Sequence, residues 1–179
     1  MRFLKIFPVM LILIFLNCKA SEYTTGFYLS YGNTMMMKNQ ASTIGIKWDW
    51  TIKESISLGG EFHSYISDDN QTISEYFANE KPEYKINYGG LAIGKYLLYN
   101  ETRRLSFSIL FGSGGYHSWN HVVNQYNLEN FLLIEPQLYF ENNINNTFAY
   151  GINPAFKFVK DRPEMNHFSL RFYLKIGTF

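Results

Sequence analysis

The chain has 179 residues, 16 basic and 15 acidic side chains, and a single cysteine. One cysteine excludes an intrachain disulfide framework and a multi-cysteine metal site, and 46% hydrophobic with 17% charged residues excludes wholesale disorder. A mean hydropathy of −0.18 places the 18% aromatic residues among polar neighbours, not in a conventional membrane-spanning helix.

The first twenty residues read as a secretory signal. Arg2 and Lys5 make a basic start, and Phe7 to Leu16 is an apolar run too short to span a bilayer as a helix. Cys18-Lys19-Ala20 puts small residues at −3 and −1, so cleavage is expected after Ala20. A buried N-terminal helix is one alternative. Lipoprotein processing at Cys18 is another, since Phe15-Leu16-Asn17-Cys18 loosely resembles a lipobox, with Asn17 a poor fit. Removing 20 of the 179 residues leaves 159, and losing Arg2, Lys5 and Lys19 leaves 13 basic against 15 acidic side chains. With no basic tail or stripe, nucleic acid is not an expected partner. A chain of this length is one domain, 21–179.

From there the apolar residues recur every second position, the period of a strand. The predicted strands are 23–32, 43–53, 55–66, 83–98, 105–117, 131–141, 147–159 and 167–177. The second is the clearest: Ile44, Ile46, Trp48, Trp50 and Ile52 alternate with Thr43, Gly45, Lys47, Asp49 and Thr51. The fourth is irregular. Tyr84, Ile86 and Tyr88 share one parity while Leu91 and Ile93 share the other, which predicts a bulge at Gly89-Gly90 and leaves the side of Lys95 open. Connections at 53–54, 100–104 and 142–146 are short. Those at 33–42, 67–82, 118–130 and 160–166 are mostly longer, so turns gather at one end of the sheet and loops at the other.

Eight such strands are expected to close into an antiparallel up-and-down barrel, because closure removes exposed edges. The polar parity carries Lys47, Asp49, Glu61, His63, Glu135, Glu141, Lys157, Arg171 and Lys175. Its full charges are four basic and four acidic, which suits a narrow interior where buried charges must pair. The apolar parity, rich in rings toward strand ends, then points outward to lipid, making a transmembrane β-barrel. A soluble lipocalin-like carrier would reverse the faces. It would also normally continue into a helix and carry cysteines, and Gly45-Ile46-Lys47-Trp48 misses its Gly-x-Trp spacing.

Over 21–179 this pattern resembles the small eight-stranded outer-membrane proteins of bacteria. Phe179 at the end of an aromatic last strand corresponds to their assembly signal, although Gly177-Thr178 would have to bend or bulge to bring it into phase. Gly45-Ile46-Lys47-Trp48-Asp49-Trp50 resembles an early strand of one enzymatic barrel family, the lipid A 3-O-deacylases, and Phe168 to Ile176 looks like its last strand. That resemblance implies a serine nucleophile and histidine base as His-x-Ser on the penultimate strand, with a glutamate on the last. Here 151–158 has neither His nor Ser, and Glu164 precedes the last strand. His167-Phe168-Ser169 has the spacing but opens the last strand, so no later strand can supply the glutamate.

Other candidates are weaker. His63-Ser64 and His117-Ser118 are adjacent residues that face opposite sides of a strand. His117 and His121 are too few for a metal centre, and Met35-Met36-Met37 reads as an apolar loop tip. Asn70-Gln71-Thr72, Asn100-Glu101-Thr102 and Asn145-Asn146-Thr147 match the glycosylation pattern, as chance allows in an Asn-rich chain. No catalytic residue, metal or cofactor is assigned. The reading is a monomeric, exported outer-membrane barrel with a structural or surface-interaction role. Its expected partners are outer-membrane lipid and lipopolysaccharide, the barrel-assembly machinery, and a host or envelope ligand at loops 33–42, 67–82 and 118–130. A deacylase-like hydrolase is the enzymatic alternative.

Overall fold

A computed structural model describes residues 23–36, 39–53, 55–67, 83–120 and 125–178. Residues 1–20, read from sequence as a signal and including Cys18, residues 68–82 with Asn70, His121 and Phe179 lie outside the described residues. Eight strands follow one another: β1 Tyr23–Met36, β2 Asn39–Ile52, β3 Ile56–Ser67, β4 Glu83–Tyr99, β5 Arg103–Asn120, β6 Gln125–Asn143, β7 Phe148–Val159 and β8 His167–Thr178. Each pairs antiparallel with its sequence neighbours. β8 returns to β1 from Thr25↔Thr178 to Thr34↔Ser169, so the sheet is a closed barrel without edges.

Alternation decides which way each side chain points. β7 shows it cleanly: Phe148, Tyr150, Ile152, Phe156 and Phe158 are exposed, while Ala149, Gly151, Asn153, Ala155, Lys157 and Val159 are buried. Every strand places large apolar side chains outside, among them Phe27, Trp48, Phe62, Leu91, Phe111, Ile134 and Phe172. The outward strand charges Lys85, Lys95 and Arg103 stand toward strand ends, which leaves an apolar belt between them.

Several details differ from the sequence reading. There is no bulge at Gly89-Gly90: the register with both neighbours runs through these glycines unbroken, and the irregularity falls between Tyr96 and Leu98. Ile86 and Tyr88 therefore point inward with Ala92, while Leu91, Ile93 and Lys95 point outward. Pairing also passes straight through Gly177 and Thr178. The segments 33–42 and 118–130 are largely not loops. β1 and β2 stay paired out to Met36↔Asn39, and β5 and β6 out to Asn120↔Gln125. Backbone pairing extends these hairpins although their side chains lose the strict alternation that marks a strand in sequence.

The short turns explain two Asn-x-Thr triplets. Asn100 Oδ1 accepts hydrogen bonds from the backbone N–H of Thr102 at 3.1 Å and of Arg103 at 2.6 Å. Asn145 Oδ1 does the same for Thr147 at 2.8 Å and Phe148 at 2.9 Å. Both are Asx turns, in which a side-chain carbonyl satisfies the amides that the bend frees. On the loop side, the connection from β7 to β8 forms a 3-10 turn at Pro163–Met165 that buries Met165.

Candidate functional site

The lumen holds the chemistry, in three layers. In the middle layer, inward positions of β3, β4, β6 and β8 converge. The Arg171 guanidinium donates to Glu135 Oε1 at 2.6 Å and lies 3.7 Å from Glu61 Oε1. Gln137 donates from one nitrogen to Glu61 and Glu135, each at 3.0 Å, bridging two carboxylates that would otherwise repel. Tyr88 donates to Glu135 at 2.7 Å and Tyr139 to Gln137 at 2.9 Å. His63 Nε2 lies 2.6 Å from Glu61 Oε1 and 2.7 Å from Arg171 Nη1, so it donates to the carboxylate or accepts from the guanidinium. Gly45 makes room for that ring, since a methyl group there would strike the His63 imidazole.

The turn-side layer is a second charged group. Tyr28 donates to Asp49 at 2.9 Å, and Lys47 approaches Asp49 at 3.9 Å with its ammonium 3.8 Å from the Tyr139 ring centre. Lys175 and Arg104 both reach Glu141, at 3.3 and 3.4 Å. Tyr28, Tyr139 and Tyr173 pack their rings around these ions. The sequence places Arg104 in the short connection 100–104. It is the second residue of β5, and it adds a fifth fully charged cation to the lumen, against four acids.

The loop-side layer is different. Ile86, Phe131, Leu133, Val159 and Met165 form an apolar cap inside the barrel. Beneath it the Lys157 ammonium sits 4.4 and 4.2 Å from the ring centres of Tyr65 and Tyr88, with no hydrogen-bond partner. Its charge is met by aromatic faces. Tyr65 donates to His167 Nε2 at 2.8 Å, while His167 Nδ1 donates to the Met165 carbonyl at 2.8 Å.

All nine polar residues singled out by parity thus lie buried in the lumen. Glu61, His63, Glu135 and Arg171 form one cluster; Lys47, Asp49, Glu141 and Lys175 lie in the layer below, and Lys157 stands above. Sequence reasoning missed Gln137 as the bridge, although its place between Glu135 and Tyr139 on the polar parity was a signal. His167 and Ser169 both face inward, yet both histidine nitrogens are engaged elsewhere, so the pair does not form a nucleophile and its base. Among the described residues no cluster of three metal-ligating side chains occurs.

No protein-family model matches the chain, and no curated protein matches it. Solved structures do. Neisserial surface protein A superposes with a TM-score of 0.66 at 6% identity, covering 90% of this chain and all of that one. The N-terminal β-barrel domain of Pseudomonas aeruginosa OprF gives 0.65 at 6% identity, covering 86% and 96%. Ail, the attachment invasion locus protein of Yersinia pestis, gives 0.56 at 12% identity, covering 88% and 97%. The chain therefore has the fold of the small eight-stranded barrels of bacterial outer membranes, an antiparallel barrel with its apolar face outside and its ions within.

Proposed function

We propose that this protein spans the bacterial outer membrane as a monomer and acts without catalysis, as a structural element or as a scaffold for surface interaction at its loop-side end. The observation that carries this reading is the inversion of the two faces. Water-soluble proteins rarely expose a contiguous apolar patch beyond a few hundred Å². Here the exposed apolar residues run round all eight strands, and a lipid bilayer is the surface that such a closed belt fits. The partners this implies are outer-membrane lipid, lipopolysaccharide at the outer rim and, before insertion, the barrel-assembly machinery. The lumen supports the non-enzymatic part: its carboxylates are engaged by Arg171, Gln137, Lys175 and tyrosine hydroxyls, and among the described residues no free acid, base and nucleophile stand in one place.

Surface orientation is tested on intact cells by cysteine labelling. Asp161→Cys, on the exposed loop side, is expected to react with a membrane-impermeant maleimide, and Asn146→Cys, in an exposed turn at the opposite end, only after lysis. The reverse pattern overturns the orientation. Mass spectrometry of lipid A with and without expression tests the absence of catalysis. An unchanged acyl pattern is expected, and loss of an acyl chain would establish the hydrolase reading instead.

A further inference from the structure

The wall of the barrel is not uniform. β5 and β6 pair without a gap from Arg103↔Asn142 to Asn120↔Gln125. β6 and β7 do not: their pairing is interrupted at 135–136 and again at 138–139. Backbone chemistry explains where. In an antiparallel ladder, alternate residues turn both N–H and C=O toward the same neighbour. The Leu132 carbonyl accepts from Lys160 N–H, so even-numbered residues of β6 face β7, whereas Asn143 donates to Thr102 on the β5 side. Continuing the register places Pro136 opposite Phe156 and Pro154 opposite Leu138. Each proline occupies a position where an N–H should cross this one seam, and each lacks it.

Two further observations mark the same place. The Asn153 side chain donates to the Leu138 carbonyl at 2.8 Å, replacing the bond that Pro154 cannot make. Lys157, whose ammonium has no hydrogen-bond partner, stands opposite Glu135 within the interrupted stretch. A closed barrel has no edge to absorb a proline, so two prolines facing one seam concentrate the deficit there.

We infer that the β6–β7 seam is a built-in point of local opening in the barrel wall, at which the strands part around Pro136 and Pro154. Parting there breaks fewer ladder bonds than at a fully paired seam. The local cost of opening is lower for that reason.

The test is amide hydrogen exchange of the folded full-length mature chain in detergent micelles or lipid bicelles, read residue by residue. Within β6, Leu138 faces the seam while Gln137 and Tyr139 face β5, so one strand carries its own control at one depth. The Leu138 and Phe156 amides are expected to exchange about tenfold or more faster than those of Gln137 and Tyr139. Pro154→Val and Pro136→Val each restore a donor, and either is expected to slow exchange at Leu138 and Phe156 toward that of their neighbours. If one variant does not fold, the other decides. Equal protection at Leu138, Gln137 and Tyr139 in the unaltered protein overturns the proposal. So does fast exchange at the seam that persists when a proline is replaced.

Discussion

The middle and the loop-side end of the lumen bury cations in opposite ways. At mid-barrel, Arg171 is held by two acids and an imidazole, and the acids are bridged by Gln137. One layer higher, Lys157 rests on tyrosine rings beneath an apolar cap, without a hydrogen bond. The contrast shows that charge alone does not reveal what a buried group contributes. An ion in a bonded network cannot be removed without stranding its partners, whereas an ion resting on rings leaves nothing unpaired behind it.

Substitutions that break or sharpen this contrast fall in a clear order. Arg171→Met should be the most damaging. It strands Glu135 and Glu61 without their cation, a change that costs about 3–5 kcal/mol when one partner of a buried ion pair is removed. Denaturant unfolding from lipid vesicles reads the loss. A second comparison is between faces: Leu91→Lys puts a charge on the outer belt, where a lysine near the bilayer midplane costs about 2–4 kcal/mol. The native Lys95, near the turn-side end of the same strand, shows how close to the belt a lysine is tolerated. Lys157→Met should change stability by only about 1 kcal/mol, because no hydrogen bond is lost and the replacement fills a similar space. A loss matching that of Arg171→Met would erase the distinction between the layers. Smallest of all is Arg162→Ala. Its ion pairs with Glu129 and Glu164 lie on the exposed rim, and their removal should stay within about 0.5 kcal/mol by the same unfolding measurement.

Much of this architecture could be read from the chain. Alternation in 43–53 and 167–177 specified both the strands and their inward residues, because neighbouring side chains of a strand must face opposite ways. Where residues of one type occupied both faces, parity lost its force. Ile86 and Tyr88 looked like members of the outer belt, yet they point inward with the cap. Among the aromatic residues, Phe27, Phe62, Phe111 and Phe158 are outside with Tyr31 and Tyr150, while Tyr28, Tyr65, Tyr88, Tyr139 and Tyr173 are buried in the lumen with Phe131. Four of those five tyrosines find a hydrogen bond there. Arg104 was hidden because nothing in Thr102-Arg103-Arg104 says where a turn ends and a strand begins. The bridge through Gln137 depends on the register of β3 against β6 across the barrel, which no local pattern contains.

The central claim is that the barrel stands in the outer membrane with its ions inside. Membrane fractionation combined with electrophoresis of unheated and boiled samples tests it most directly. The account predicts recovery with the outer-membrane fraction and a shift in mobility on boiling, as a detergent-resistant barrel unfolds. A soluble periplasmic protein with the same mobility before and after heating would contradict it.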